Sequence, residues 1–324
     1  MQQTTRHFCD VHSHAAAVQH WQQDYSQLTA GAFASVLRQW LGGRCHVFRE
    51  HINQQVVQCG QAPQDQVCFA VPLVAAGQAR MQGREADDGS LFFLHGGEEF
   101  MFHMPAGMDL LGITFERRFF EQALVQMPCC ERLQALLRQP VIQLPRLRLA
   151  QCRTRLLALC HTPAWADSGE ARWEQTILEE LLQLLSATEG EVGQRAHCST
   201  HSFIVEKCHH MTLSDTMDAP TVVALCQQLH VSRRTLQNSF RSVAQTTPLH
   251  YLRSVRLNGV RRTLGQTSAA ELSIGDAAAQ WGFFHLSHFA REYRALFGEL
   301  PSQTARASTT IARHDYTRAT AALF

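Results

Sequence analysis

Arg233, Arg234, Gln237, Asn238 and Arg241 recur at intervals that put them on the outward faces of one helix. His285, Ser287, His288 and Arg291 repeat the arrangement further along. Arg can bond guanine O6 and N7 with two prongs, and Gln or Asn can do the same with adenine. Side chains of these types on two short helices are equipped to read base edges in a DNA groove. Of these, Arg241 suits phosphates or structural carboxylates, as do Arg253 and Arg256 between the two sets. Leu286 suits a thymine methyl group, or marks a second unit that reads bases more weakly.

A second set could hold a small ligand. Arg49 and Glu50, with Glu98 and Glu99, offer charge of either sign, and one of the three carboxylates could pair with an ammonium group. Trp40, Phe48 and Phe69 could line such a pocket, although core packing is the plainer role for each. Metal binding has weaker support. Cys9, His12 and His14 form one cluster and Cys208, His209 and His210 another, but neither is followed by a second Cys/His pair at zinc spacing. His95, Glu98 and His103 lack the His-x-His pair of a metal cupin, and Pro105-Ala106-Gly107 reads as a hairpin turn. No metal site is therefore expected. With no glycine-rich phosphate loop and no nucleophile-base pair, the chain does not read as an enzyme. A cupin-like metalloenzyme joined to a DNA-binding module is the minor alternative, and a constitutive DNA-binding protein whose amino-terminal half only dimerises is another.

The elements that must position the base-reading residues follow from spacing. Val222, Leu225 and Leu229 describe one short buried helix face. A turn follows at His230-Val231-Ser232, with Ser232 as N-cap of the next helix. Leu236, Phe240 and Val243 give that helix its apolar stripe. Ile274, Ala277 and Trp281 repeat the first face, Gly282 the turn, and Phe289, Tyr293 and Leu296 the second stripe. The two turns align without gaps back to Thr221 and Ser273, placing the small residues Cys226 and Ala278 in matching positions. After the turns the spacing differs: Val231 to Leu236 is five residues, and Phe283 to Phe289 is six.

The stretch Thr247-Pro248-Leu249-His250-Tyr251-Leu252-Arg253-Ser254-Val255-Arg256-Leu257 resembles the bridging helix of the AraC/XylS family of activators. Trp281-Gly282-Phe283, Phe289, Phe297-Gly298 and Pro301 extend the resemblance. Three departures stand out. His230 takes a turn position usually given to Gly, Thr246 stands where Gly is common, and Thr304-Ala305-Arg306 replaces a Tyr-Arg pair. Within that family, Val47-Phe48-Arg49-Glu50, Gly96-Gly97-Glu98-Glu99-Phe100, Leu229 to Gln237, Asp276-Ala277-Ala278 and Gln280 to Phe283 with His285-Leu286 resemble regulators of ethanolamine-utilisation operons. The resemblance implies an amino-terminal effector-binding domain, promoter DNA and RNA polymerase as partners, and a small-molecule inducer. It further implies ethanolamine as that inducer, adenosylcobalamin as co-effector, and a homodimer. Regulation of another amine-catabolism operon is the alternative.

Length and composition suit an α+β protein of two domains. Residues 1–128 are expected to form a small β-barrel or sandwich-like effector domain, because runs such as Val67-Cys68-Phe69-Ala70-Val71 and Leu91-Phe92-Phe93-Leu94 are broken by Gly, Pro and Asp. A helix or lead-in is expected around Trp21 and Tyr25. Residues 129–190 read as a helical linker or dimerisation region, with helices at Leu133 to Leu137, Leu149 to Leu159 and Trp173 to Leu185, the wide stripe of the third packing either in a dimer interface or equally well on the chain's own barrel. Glu189 to Gln194 reads as a flexible connector, and 198–306 as an all-α DNA-binding domain with two helix-turn-helix units. The net charge of +1 hides ten Arg against six acidic residues between Asp215 and Thr310, an excess that suits phosphate contacts. The eleven cysteines read as reduced thiols. No secretory signal is evident at the start and no apolar run approaches the ~20 residues that span a bilayer, so a cytoplasmic location is expected.

Overall fold

The computed structural model describes residues 2–74, 77–161, 169–187, 200–218 and 220–307. The chain divides into an amino-terminal unit, 1–25 with 33–202, and a carboxy-terminal unit, 26–32 with 203–324.

The amino-terminal unit opens with β1 (Gln2–Phe8), α1 (Val11–Ala17), β2 (Gln22–Gln27), β3 (Ser35–Leu41), β4 (Cys45–Ile52) and β5 (Val56–Gln61). It continues with β6 (Gln66–Val74), β7 (Ala79–Met81), β8 (Arg84–Ala86), β9 (Ser90–His95), β10 (Glu99–Met104) and β11 (Met108–Glu116). Then come α2 (Arg117–Val125), α3 (Cys130–Leu136), β12 (Val141–Gln143), α4 (Arg146–His161) and α5 (Glu170–Ser186). The strands form two sheets, ordered β1-β3-β4-β11-β6-β9-β12 and β2-β5-β10-β7-β8. The architecture is a sandwich and not a closed barrel.

Strand β9 shows why. Residues Leu91 to Leu94 are all buried because both faces of their sheet are covered. Leu91 and Phe93 join a core with Trp173, Ile177 and Leu181 of α5 and Leu149 and Leu156 of α4. Phe92 and Leu94 face the other way, into a core with Phe100, Phe102 and Met81 of the second sheet. The order is helices, large sheet, small sheet.

This layering changes three expectations. The helices read as a separate linker belong to the amino-terminal unit, and β12 among them pairs with β9. The wide stripe of α5 is taken up by the chain's own sheet. Glu174 of α5, also buried, accepts from the Arg44 backbone N–H at 2.6 Å and from Arg44 Nε at 2.9 Å, clamping the β3–β4 turn. Trp21 and Tyr25 flank and occupy a strand where a helix was expected, because β2 pairs with β5. Pro105-Ala106-Gly107 does not close a hairpin: it carries the chain from one sheet to the other, with Gly107 at φ 74°. The connector expected at Glu189 to Gln194 lies outside the described residues.

The carboxy-terminal unit is helical: α6 (Thr200–Ser214), α7 (Val222–Gln228), α8 (Arg233–Ala244), α9 (Pro248–Gln266), α10 (Ile274–Gln280) and α11 (Leu286–Phe297). Thr221, Ser232, Thr247 and Ser273 each cap a helix, their hydroxyls accepting from the N–H three residues on. Among the described residues no helix is long and apolar enough to cross a membrane.

Candidate nucleic-acid interface and effector cavity

The two turns share a closing bond. Val231 N–H donates to Cys226 O at 3.0 Å, and Phe283 N–H donates to Ala278 O at 3.0 Å. His230 has φ 52° and Gly282 φ 73°, so the turn needs a left-handed residue at this position. The departure from Gly at His230 therefore leaves the turn geometry in place. Behind each turn lies an apolar seat. Leu236 and Phe240 of α8 are buried, with the Phe240 ring 5.1 Å from that of Tyr251 on α9. Phe289 and Tyr293 of α11 are buried against Leu257, Val260 and Leu264 of α9.

The opposite faces are exposed. Arg233, Arg234, Gln237, Asn238 and Arg241 of α8 are exposed, as are Ser287, His288 and Arg291 of α11 and its N-cap His285. The structure does not place the two sets equivalently. The second turn is one residue longer, so the first residue of α8, Arg233, corresponds to Leu286 of α11. Arg234 then matches Ser287 and Asn238 matches Arg291. Arg241 matches Arg294, an exposed residue that the reading from sequence missed and that counting from the helix starts would have found. His288 leans toward Glu292, Nδ1 to Oε1 3.3 Å, and Arg253 pairs with the same carboxylate at 3.0 Å. Arg253 is thus committed to a structural carboxylate. Arg256 is half-buried, its guanidinium 5.0 Å from the Phe283 ring centre. Burial lowers its pKa, and Arg253 adds to the effect.

The four effector candidates separate. Arg49 is bound to Asp109 by two bonds, Nε to Oδ1 2.9 Å and Nη2 to Oδ2 2.5 Å. Glu98 is exposed and accepts from the His95 backbone N–H, and Glu99 is exposed at the start of β10. Glu50 lines a cavity. That cavity is walled by Trp21, Phe48, Phe92, Phe93, Phe100 and Phe102, together with Phe69, Gln58, Cys68 and neighbouring aliphatic side chains. Its void is about 30 Å³, room for about two waters. Trp21 stands edge-on to Phe48 and Phe100, with centroids 6.0 and 5.6 Å away. Gly112 lies opposite Phe48 in the β4–β11 register, and a Cβ there would come within 2.1 Å of the Phe48 ring. Of the three aromatic candidates, Phe48 and Phe69 line the cavity and Trp40 belongs to the helix-side core.

Glu50 is fully buried and braced on one oxygen only. Its Oε2 accepts from Tyr25 OH at 3.0 Å and meets His14 Nε2 at 2.9 Å, while His14 Nδ1 meets Ser35 Oγ at 2.8 Å. Burial, then the Glu50 carboxylate, push the Tyr25 hydroxyl well above its ordinary range, so it stays protonated and donates. Oε1 of Glu50, Oε1 of Gln58 and Nε1 of Trp21 have no hydrogen-bond partner. A lone carboxylate oxygen among aromatic faces is suited to a small cation. Adenosylcobalamin far exceeds this void.

Two of the metal candidates are engaged elsewhere. His14 is spent on Glu50 and Ser35, and His209 Nδ1 meets Tyr251 OH at 3.1 Å. His95 is exposed on β9, whereas His103 is buried on β10 of the other sheet. Among the described residues no group of three or more His, Cys, Asp and Glu is placed to hold a metal ion.

Residues 225–307 match the family described as a helix-turn-helix domain. Over 82 residues the chain is 44% identical to the XylDLEGF operon transcriptional activator of Pseudomonas putida, covering 25% of this chain and 26% of that one. Over 131 residues it is 32% identical to XylDLEGF operon transcriptional activator 3 of the same organism, covering 40% of this chain and 38% of the relative. The chain thus spans well under half the length of these relatives. Among solved structures, that of the AraC-like transcriptional activator CuxR covers 87% of this chain and 100% of its own at 14% identity, with a TM-score of 0.43.

Proposed function

We propose that this chain is a sequence-specific DNA-binding transcription regulator, acting as an activator, whose amino-terminal unit binds a small ammonium-bearing metabolite. The observation that carries the DNA-binding part is the duplicated turn, each copy capped, seated on α9 and fronted by an exposed polar helix. Recognition helices arranged in this way enter successive major-groove faces about 34 Å apart on one side of the duplex. The matched helix-turn-helix residues and the activators that share them support the same reading. An activator meets RNA polymerase as well as promoter DNA. A homodimer would need a surface other than the stripe of α5, which is covered.

The ligand part rests on Glu50. Its unpaired Oε1 would take an ammonium N–H, and Trp21, Phe48 and Phe100 would hold the cation against their π-faces. The void suits a ligand of a few heavy atoms. Ethanolamine is the first compound to test, and other short amines come next.

Footprinting the purified chain on promoters near its gene, with and without ethanolamine, tests both parts. Specific protection that changes with the amine supports the proposal. Specific protection indifferent to every short amine removes the ligand, and protection equal on scrambled DNA removes the regulator.

A further inference from the structure

Strand β2 carries two sets of contacts only two residues apart. Tyr25 OH donates to Glu50 Oε2, the bond that braces the cavity carboxylate. Residues two apart point to the same face of a strand, and Gln27 is as buried as Tyr25. Yet Gln27 belongs to the carboxy-terminal unit, with the rest of Ser26–Ala32. Its backbone N–H donates to Asn258 Oδ1 at 2.9 Å, and Asn258 Nδ2 donates back to Gln27 O at 2.8 Å. Its side-chain Nε2 donates to Leu296 O at 2.9 Å and, within its own segment, to Thr29 O and Gly31 O. Gly31 N–H adds a second bond to Leu296 O at 2.9 Å. Asn258 lies in α9, 1% exposed, and Leu296 in the last turn of α11.

The Asn258 carboxamide therefore captures both main-chain groups of one residue, as a neighbouring strand would. A surface loop brushing a helix would not leave its main chain paired to a buried side chain. Leu296 sits on the helix that bears Ser287, Arg291 and Arg294, so the segment seats directly against a candidate recognition helix. Two peptide links separate this seat from the hydroxyl that holds Glu50.

We propose that β2 is a lever: the state of the Glu50 cavity, felt at Tyr25, sets how firmly Ser26–Ala32 is seated on Asn258 and Leu296, and so the pose of α11. The proposal rests on the regulator reading for its biological sense but not for its physical test. A ligand shifts such an equilibrium only by the difference in its affinity for the seated and released states. Here that difference arises because a cation on Oε1 alters the charge that Tyr25 OH meets on Oε2. Protein motion of this kind needs one element with two discrete positions, and a short segment held by four named bonds to one Asn and one helix end can supply it.

Amide hydrogen exchange on the full chain tests the lever without ligand or DNA. Tyr25→Phe removes only the hydroxyl and keeps the ring in its core. It should speed exchange of Ser26–Ala32 and of the last turn of α11 about fivefold, the effect of one lost buried hydrogen bond. In the reverse direction, Asn258→Ala should speed exchange at Gln22–Tyr25. Gln27→Ala, which leaves the backbone pair with Asn258 intact, should act in the same sense but more weakly. If Tyr25→Phe speeds exchange only around Glu50 and leaves 26–32 and α11 unchanged, the lever is overturned. If exchange moves as expected while the chain protects specific and scrambled DNA alike, the lever stands and the regulator reading fails.

Discussion

Gly259 of α9 decides whether the second helix-turn-helix unit docks. In an ordinary helix Gly→Ala is stabilising by about 1 kcal/mol, because alanine loses less backbone freedom. At Gly259 the added methyl would lie 2.3 Å from Cη2 of Trp281 and 2.4 Å from two further ring atoms. Carbon contacts need roughly 3.5 Å, so the indole would have to retreat by about an ångström. Trp281 is buried and its Nε1 donates to Thr263 Oγ1 at 3.1 Å, so retreat also strains that bond. Overpacking of this kind costs about 1–3 kcal/mol, and loss of the indole bond adds about 1 kcal/mol. Set against the propensity gain, Gly259→Ala is expected to be destabilising by about 1–3 kcal/mol. Urea unfolding of the full chain measures this, and footprinting should show protection under α11 fading before protection under α8. A variant that is more stable than the parent would refute the argument, because it would mean that Trp281 does not press on α9.

Three other expectations follow from the same geometry. Arg234→Ala should weaken binding to the specific site by about 1–3 kcal/mol more than to scrambled DNA; equal losses in a titration of both would remove it from base reading. Arg294→Ala, at the position matching Arg241, should weaken both DNAs alike and lower the slope of log affinity against log salt by about one; an unchanged salt slope would place it away from phosphate. His46 has both ring nitrogens without a partner, and burial, helped by His20, lowers its pKa to about 4. The unfolded chain binds the proton first as pH falls below about 6.5, so stability held above that pH drains as pH drops toward 4, by roughly 1–2 kcal/mol at pH 5. His46→Leu should flatten that loss in urea melts at pH 7 and 5, and an unaltered loss would contradict the assignment.

Much of the carboxy-terminal unit was legible because its determinants are local. Caps at Thr221, Ser232, Thr247 and Ser273 act three residues ahead, and the turn bonds to Cys226 and Ala278 span five. Apolar spacing also located α3, α4 and α5. What it could not show was the partner of each face, since the stripe of α5 is matched by strands far away in sequence. The cavity was legible only as a charge at Glu50 with Phe48 and Phe69 beside it. Its brace comes from His14, Tyr25 and Ser35, on three separate elements, and nothing in the neighbourhood of Glu50 announces them. Trp21 and Tyr25, four apart, fit a helix period as well as a strand's, and pairing with β5 settled the matter.

The unequal turns have a consequence for the operator. With Leu286 in the place of Arg233 and Ser287 in that of Arg234, the leading edge of α11 has one apolar and one small polar group where α8 has two guanidinium groups. Two-pronged guanine contacts are available to the front of α8 but not to the front of α11, whose charged groups, Arg291 and Arg294, come one and two turns later. The two half-sites should therefore differ in sequence, the first dependent on guanine and the second on the methyl of thymine. Guanine methylation should interfere with binding at the first half-site, while replacing thymine by uracil should weaken binding at the second. Interference of the same kind at both would mean that the extra residue in the second turn is absorbed before α11 reaches the groove, so that His285 or His288 leads instead of Leu286.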